Sequence, residues 1–341
     1  MGASIRTRST PSSAGDLVVA TDAPACRTGT ILVTGARGFL GRHAMPVLAA
    51  RYGAERVVGV SRRDYDLMDP GAVQRMFEER RPEVLVHLAA YSGGIGANKQ
   101  FPADFFYQNI LLTTLVFHTA AAQKVQRLLY PMGGCSYPAA VTSPIGEGQM
   151  WSGYPQMESA GYSMAKKMGL VASVSYRQQY GLNSVVIVPG NMYGEYDNFR
   201  PAESHVIPAL VRRIFEAKRA GAREVVVWGT GQPERDFVYA GDVAALIPYF
   251  LDHDTTGPVN ISSGTRVTIR HLVESIADLM AYDGALVWDT SKPDGQMVKV
   301  FDVTEMRRLG LSCPTPLRDG LRRTIEWVGR HYDARSDGIR L

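Results

Sequence analysis

Short apolar runs alternate with longer amphipathic stretches from residue 29 onward. This pattern predicts an α/β fold in which a parallel sheet is covered by helices on both faces, that is, a doubly wound sheet. Thr30-Ile31-Leu32-Val33 reads as the first strand and Phe39 to Arg51 as the helix it feeds. Arg56 to Val60, Val84 to Leu88, Arg127 to Pro131 and Ser184 to Val188 read as further strands. Helices are predicted over Pro70 to Arg80, Pro102 to Gln123 and Tyr162 to Tyr180, the last ended by Gly181. After Gly190 the alternation breaks. A helix from His205 to Gly221 and a strand from Val225 to Trp228 follow, then Asp242 to Leu251 and Val259 to Ser262 as a late helix and strand that rejoin the large sheet. Ala285 to Trp288 is an extended segment among short helices. The expected organisation is a large domain over 29–190 with about 241–263, and a smaller discontinuous lobe over 191–240 and 264–341 that closes on the sheet's carboxyl edge. Residues 1–28, rich in Ser, Thr, Ala and Gly, read as a flexible leader.

Composition narrows the function class. Apolar content of 45% and charged content of 21% are those of an ordinary globular protein, and no run approaches the roughly 20 apolar residues that cross a bilayer. The net charge of +4 over 341 residues is small and dispersed, which argues against a nucleic-acid binder. Three cysteines (Cys26, Cys135, Cys313) without metal-ligand spacing imply neither a zinc site nor a disulfide framework, and a reducing cytoplasm is the simplest compartment.

Candidate chemistry begins at the turn Thr34 to Gly41, where Gly35, Gly38 and Gly41 follow a strand and open a helix. In that context glycines allow a tight turn and close backbone approach to a pyrophosphate, which the helix amino terminus attracts, so the loop with Arg37, Phe39 and Leu40 reads as a Rossmann-type dinucleotide site. An NAD-preferring site places an acidic residue after the second strand, but here the strand runs into Ser61-Arg62-Arg63. Guanidinium groups there, with Arg37, suit the 2′-phosphate of NADP, and Asp66 and Leu67 are candidates for the adenine edge. Tyr162 and Lys166, four apart, lie on one helix face, where the ammonium is expected to depress the phenol's pKa and make an acid/base group for hydride chemistry.

The glycine loop, His87-Leu88-Ala89-Ala90, Tyr162 with Lys166, and PGNMYG (Pro189 to Gly194) together resemble the extended short-chain dehydrogenase/reductase family. GGIGANKQFPADFFYQN (Gly93 to Asn109), DNFRPAESHVIPALVRR (Asp197 to Arg213), VVVWGTGQPERDF (Val225 to Phe237) and SKPDGQMVKVFDV (Ser291 to Val303) are similar to the GDP-L-fucose synthase branch, which epimerises and reduces a GDP-4-keto-6-deoxy-hexose. The resemblance implies Cys135 and His205 as the pair that exchanges protons beside the sugar ketone. It also implies NADP(H) contacts from Leu88, Ala89, Ala90, Asn109, Lys166, Pro189, Asn191 and Met192, with Asn109 positioning the lysine through water. Asn191, Arg213, Trp228, Arg235 and Lys292 would line the nucleotide-sugar lobe, and the two long helices would form a four-helix homodimer interface.

The same resemblance puts the family's catalytic serine at Gly133, so the hydroxyl that supports the developing oxyanion is absent. Ser136 lies three positions on and would point elsewhere. Three readings follow: hydride transfer with a redistributed donor set, an enzyme that emphasises proton exchange, or an altered substrate pose as in GDP-hexose 3,5-epimerases. A non-catalytic nucleotide-sugar-binding protein is the rival from another class.

Overall fold

The computed structural model describes residues 29–332 apart from 202 and 256, so the leader and Cys26 lie outside the described residues. Five strands carry the nucleotide half: β1 (Thr30–Thr34), β2 (Val57–Val60), β3 (Pro82–His87), β4 (Arg127–Pro131) and β5 (Asn183–Pro189). With the strand Val259–Ile261 they form one parallel sheet in which β1 sits between β2 and β3, followed by β4, β5 and Val259–Ile261. Chain order therefore reverses between β1 and β3. Their carboxyl ends open the crevice where ligands of such sheets bind.

Helices α1 (Phe39–Tyr52), α2 (Pro70–Arg80), α3 (Ile95–Gln100), α4 (Pro102–Ala122) and α5 (Ala160–Tyr180) connect these strands. The sheet is apolar on both faces, as a strand buried on both sides requires. Ile31 and Val33 pack with α1 and the helix Ala240–Asp252, while Leu32 and Leu85 pack with α2, α4 and α5. Phe117 and Phe250, both at 0% exposure, anchor opposite faces, and truncating either to alanine should cost about 3–5 kcal/mol. Asp69 starts α2 by accepting from the Gly71 and Ala72 amides, with Pro70 at the first turn. Gly181, at φ 69°, ends α5 in a left-handed cap.

A separate core holds the smaller lobe, in which Ile207, Val211 and Ile214 of the helix Val206–Arg219 meet Val225, Val227, Leu272, Leu321 and Trp327. Within the segment 264–341, Phe301, Val303 and Met306 return to the two cores of the large sheet. The chain around Lys299 thus crosses between the lobes.

Candidate active site

The glycine turn brings three backbone segments into close contact. Gly35 takes φ 69°, and a Cβ there would lie 2.7 Å from the Ala89 amide nitrogen; a Cβ on Gly41 would lie 2.2 Å from the Gly35 carbonyl. These two positions let β1, α1 and the loop after β3 close together. Gly38 caps α1 without a side-chain hydrogen bond, and the helix's first turn holds no acidic residue, so no side chain of that turn competes for its free amides. Beyond β2, the Ser61 amide and hydroxyl donate to Asp64 at 2.8 and 2.7 Å and fold residues 61–64 into a turn. Those hydrogen bonds, with the charges of Arg37 and Arg80, hold the Asp64 carboxyl below its ordinary pKa. Arg62 pairs with Asp66 at 3.3 Å on an exposed surface, a contact worth only about 0–1 kcal/mol that a phosphate can displace. Leu67 is half-buried against the α2 side of the core.

The loop Leu88-Ala89-Ala90 leaves β3 beside Thr34, whose carbonyl accepts from the Leu88 amide at 3.2 Å. Asn109, fully buried on α4, accepts from the Tyr91 amide at 3.0 Å and donates to the Tyr91 and Phe105 carbonyls at 2.8 Å each. Phe105 in turn meets Tyr162 edge-on, with ring centres 6.1 Å apart.

Tyr162 and Lys166 lie on the inner face of α5, but their electrostatics differ from the expectation of a phenol acidified by its lysine. Desolvation raises the Tyr162 pKa, with Cys135 and Tyr130 adding to it. Desolvation also lowers Lys166 to about 7, against a smaller raising effect from Cys135. The Lys166 ammonium sits 4.0 Å over the Tyr130 ring rather than serving the phenol. A Cβ at Gly169 would lie 2.2 Å from that ring, so glycine at this position admits the arrangement. His87, buried at the end of β3, shares a 2.7 Å hydrogen bond with Thr34 and is lowered to about 3 by burial and by Lys166. In this state Tyr162 is a proton donor, not a phenolate.

Gly133 follows β4 at the centre of the site. A Cβ placed there would be 3.1 Å from the Cys135 sulfur, 3.5 Å from Tyr162 Cε1 and 3.8 Å from the Tyr162 hydroxyl. Ser136 is buried and donates its hydroxyl to the Ser163 carbonyl at 3.1 Å, so it faces α5 instead of replacing the missing group. Cys135 itself is a free thiol and half-buried.

Lys299, which the sequence pattern did not single out, joins the two lobes electrostatically. Desolvation lowers its pKa, Cys135 raises it and Arg235 lowers it further. The same lysine, after desolvation, lowers His205, an exposed residue at the start of the helix Val206–Arg219. The signal for Lys299 was a charged residue between two apolar ones in the extended run Val298-Lys299-Val300. Arg235 donates to the Glu234 carbonyl at 2.8 Å, and its own pKa is lowered by desolvation against the Asp294 carboxylate. Next to it Asp236, at 0% exposure, accepts from the Ser263 hydroxyl at 2.6 Å and the Gly264 amide at 3.1 Å, which ties the large sheet to the smaller lobe. Asn191 follows β5 after Pro189 and donates to the Asp236 carbonyl at 2.8 Å, while Met192 turns into the sheet core.

Arg213, Trp228 and Lys292 form a second group further out. Arg213 donates to the Val226 carbonyl at 2.9 Å, Trp228 is 63% exposed, and the Lys292 ammonium lies 5.9 Å from its ring centre. Asp294 links the two groups by accepting from the Thr230 amide and hydroxyl at 2.7 and 2.8 Å. No helix among the described residues is long and apolar enough to cross a membrane.

Comparison with known proteins agrees with this architecture. The sequence pattern of the NAD dependent epimerase/dehydratase family matches residues 31–262. Probable GDP-L-fucose synthase 1 of Oryza sativa subsp. japonica is 38% identical over 301 residues, covering 88% of this chain and 92% of the relative. GDP-L-fucose synthase of Escherichia coli (strain K12) is 36% identical, covering 89% and 97% respectively. The crystal structure of a GDP-L-fucose synthetase from Naegleria fowleri bound to NADP superposes with a TM-score of 0.83 at 26% identity, covering 92% of this chain and 98% of that one. The matched span, the six-stranded parallel sheet and the glycine turn leave one assignment: this chain belongs to the NAD dependent epimerase/dehydratase family, the extended short-chain dehydrogenases/reductases, and is similar within it to the GDP-L-fucose synthases.

Proposed function

We propose that the protein binds NADP(H) and acts on a GDP-4-keto-6-deoxy-hexose, inverting carbons beside the ketone and reducing the ketone more slowly. The observation that carries this reading is the convergence at Gly133, where one built Cβ would lie 3.1 Å from the Cys135 sulfur and 3.8 Å from the Tyr162 hydroxyl. A ketone oxygen held by Tyr162 then has its α-carbon within reach of the thiol. Cys135 as thiolate removes the α-proton, made acidic by the adjacent carbonyl, and His205 as imidazolium returns one to the opposite face. Lys299 lies close enough to Cys135 for the two to interact electrostatically. For reduction, Tyr162 donates its proton to the oxygen, and Lys166, near 7, restores it once its ammonium leaves the Tyr130 ring.

The free amides of α1, together with Arg37, Arg62 and Arg63, fit the phosphates of NADP, and Leu88 to Ala90, Pro189 and Met192 fit its apolar contacts. When bound, NADPH supplies the hydride for the ketone carbon. Arg213, Arg235 and Lys292 suit the diphosphate, Trp228 offers a stacking face for the base, and Asn191 bounds the sugar. Exposed Phe106 and Tyr107 on α4 and Val174 and Tyr180 on α5 support a homodimer through these helices.

One observation favours a second reading, an epimerase with little net reduction: Gly133 provides no hydroxyl and Ser136 is committed to Ser163. Incubation with GDP-4-keto-6-deoxy-mannose in deuterated water, with and without NADPH, separates the two. Deuterium beside the ketone together with NADPH oxidation supports the first reading, and deuterium alone supports the second. Tight binding of the sugar nucleotide with neither signal would establish a binding protein instead.

A further inference from the structure

His205 begins the helix Val206–Arg219, with its own carbonyl accepting from the Ala209 amide at 3.0 Å. The residue is exposed and, among the described residues, its imidazole has no hydrogen-bond partner, so where the ring lies depends on where the preceding backbone is held. That backbone is held from the other lobe. The Gly94 amide donates to the Glu203 carbonyl at 2.6 Å, and a Cβ on Gly94 would lie 2.2 Å from the Ser204 carbonyl oxygen. The Gly93-Gly94 turn is in turn fixed by Asn98, only 5% exposed, whose side-chain amide donates to the Gly93 and Gly94 carbonyls at 2.9 and 3.0 Å. On its other side the turn leans on Phe105, whose ring would be 3.1 Å from a Cβ on Gly93 and which meets Tyr162 edge-on.

We infer that Gly94 and Asn98 form an interlobe clasp that positions His205 for proton delivery to the sugar face opposite Cys135. This rests on the proposed roles of Cys135 and His205. The clasp touches neither substrate nor cofactor, and Asn98 and Gly94 are positioning residues. The consequence is specific to one half of the proton chemistry. Cys135 removes the α-proton to leave an enolate, and the same thiol can return a proton to the same face with retention of configuration. Only a correctly placed His205 converts exchange into inversion. A methyl group at Gly94 cannot coexist with a carbonyl oxygen 2.2 Å away, so the His205 loop must retreat by about 1 Å. A displacement of that size can cost about 10²-fold in rate.

The test is the ratio of inversion to deuterium exchange for GDP-4-keto-6-deoxy-mannose in deuterated water, measured for wild type, His205→Asn, Gly94→Ala and Asn98→Ala. Folding is checked by thermal melting and by NADPH binding. The clasp predicts that Gly94→Ala and Asn98→Ala lose about 10- to 100-fold in inversion, as His205→Asn does, while exchange with retention in the two clasp variants stays within about threefold of wild type. If both variants keep the wild-type ratio while His205→Asn loses it, the clasp is refuted and the proposed function stands. If wild type neither exchanges nor inverts, the proposed function itself fails. Should Gly94→Ala not fold, Asn98→Ala decides alone, because it removes two hydrogen bonds without adding bulk.

Discussion

Restoring a hydroxyl at Gly133 is the most direct perturbation of the proposed chemistry. In Gly133→Ser the new Cβ enters 3.8 Å from the Tyr162 hydroxyl, and its oxygen can reach the carbonyl oxygen that Tyr162 serves. An oxyanion donor of this kind is worth about 2.7–4 kcal/mol, or about 10² to 10³ in kcat. Against this stands the 3.1 Å approach of the Cβ to the Cys135 sulfur, which must yield by a few tenths of an ångström. Cys135 is half-buried rather than enclosed, and if its side chain yields, part of the gain survives. The expected outcome is a rise of about ten- to a hundredfold in NADPH oxidation with GDP-4-keto-6-deoxy-mannose, followed by single-turnover absorbance so that product release does not mask it. Gly133→Ala adds the same Cβ without the donor and should give no gain, which separates chemistry from packing. The reasoning is refuted if Gly133→Ser leaves hydride transfer unchanged in a folded, NADPH-binding protein, for then the existing donors already complete the oxyanion site.

Further outcomes follow from the same geometry. Cys135→Ser should abolish deuterium exchange beside the ketone, by at least about a hundredfold, while NADPH still binds with wild-type affinity by fluorescence titration. Replacing Arg62 and Arg63 together by alanine should raise the KM for NADPH about 10- to 100-fold and leave that for NADH nearly unchanged, since a charge-assisted phosphate contact is worth about 1.5–3 kcal/mol and the exposure of both side chains discounts their sum. Lys166 falls from 10.5 to about 7 on folding, so its burial opposes folding fully below about pH 7 and this opposition fades as pH rises toward 10.5. Lys166→Met should therefore stabilise the cofactor-free protein at pH 6 by at most about 5 kcal/mol, less the lost contact with Tyr130, with the gain shrinking by pH 9.5 in urea titrations; an equal gain at both pH values would contradict it. Val174→Glu, at a position 61% exposed on α5, should lower the mass measured by light scattering to that of one chain.

The parallel sheet was legible because its strands are apolar on both faces and its helices are amphipathic, so β4 and α2 match their predicted bounds and the other strand and helix ends move by a few residues. The glycine turn was legible for a local reason, since strand, turn and helix are contiguous. Lys299 was not, because its meaning depends on Cys135, 164 positions earlier in the chain, and on a segment that crosses between the lobes. Gly93-Gly94 was legible as part of a motif but not as a contact, for nothing local reveals that Ser204 packs on it. The sign of the Tyr162 effect was misjudged for another reason. Helical spacing placed the lysine near the phenol, but burial of both groups and the Tyr130 ring beneath the ammonium outweigh the pairwise attraction.

That sign bears on why a site without its serine can still exchange protons. Negative charge reaches the ketone oxygen in both half-reactions, but in different amounts. Hydride addition leaves a full alkoxide, whereas proton removal leaves an enolate whose charge is shared with carbon. A donor missing at Gly133 therefore penalises reduction more than exchange. Tyr162, kept protonated by its surroundings, remains available as a donor to either species. The groups retained around Gly133 thus serve the early, enolate-forming step well and the alkoxide-forming step poorly, so reduction should be the slower half of the cycle.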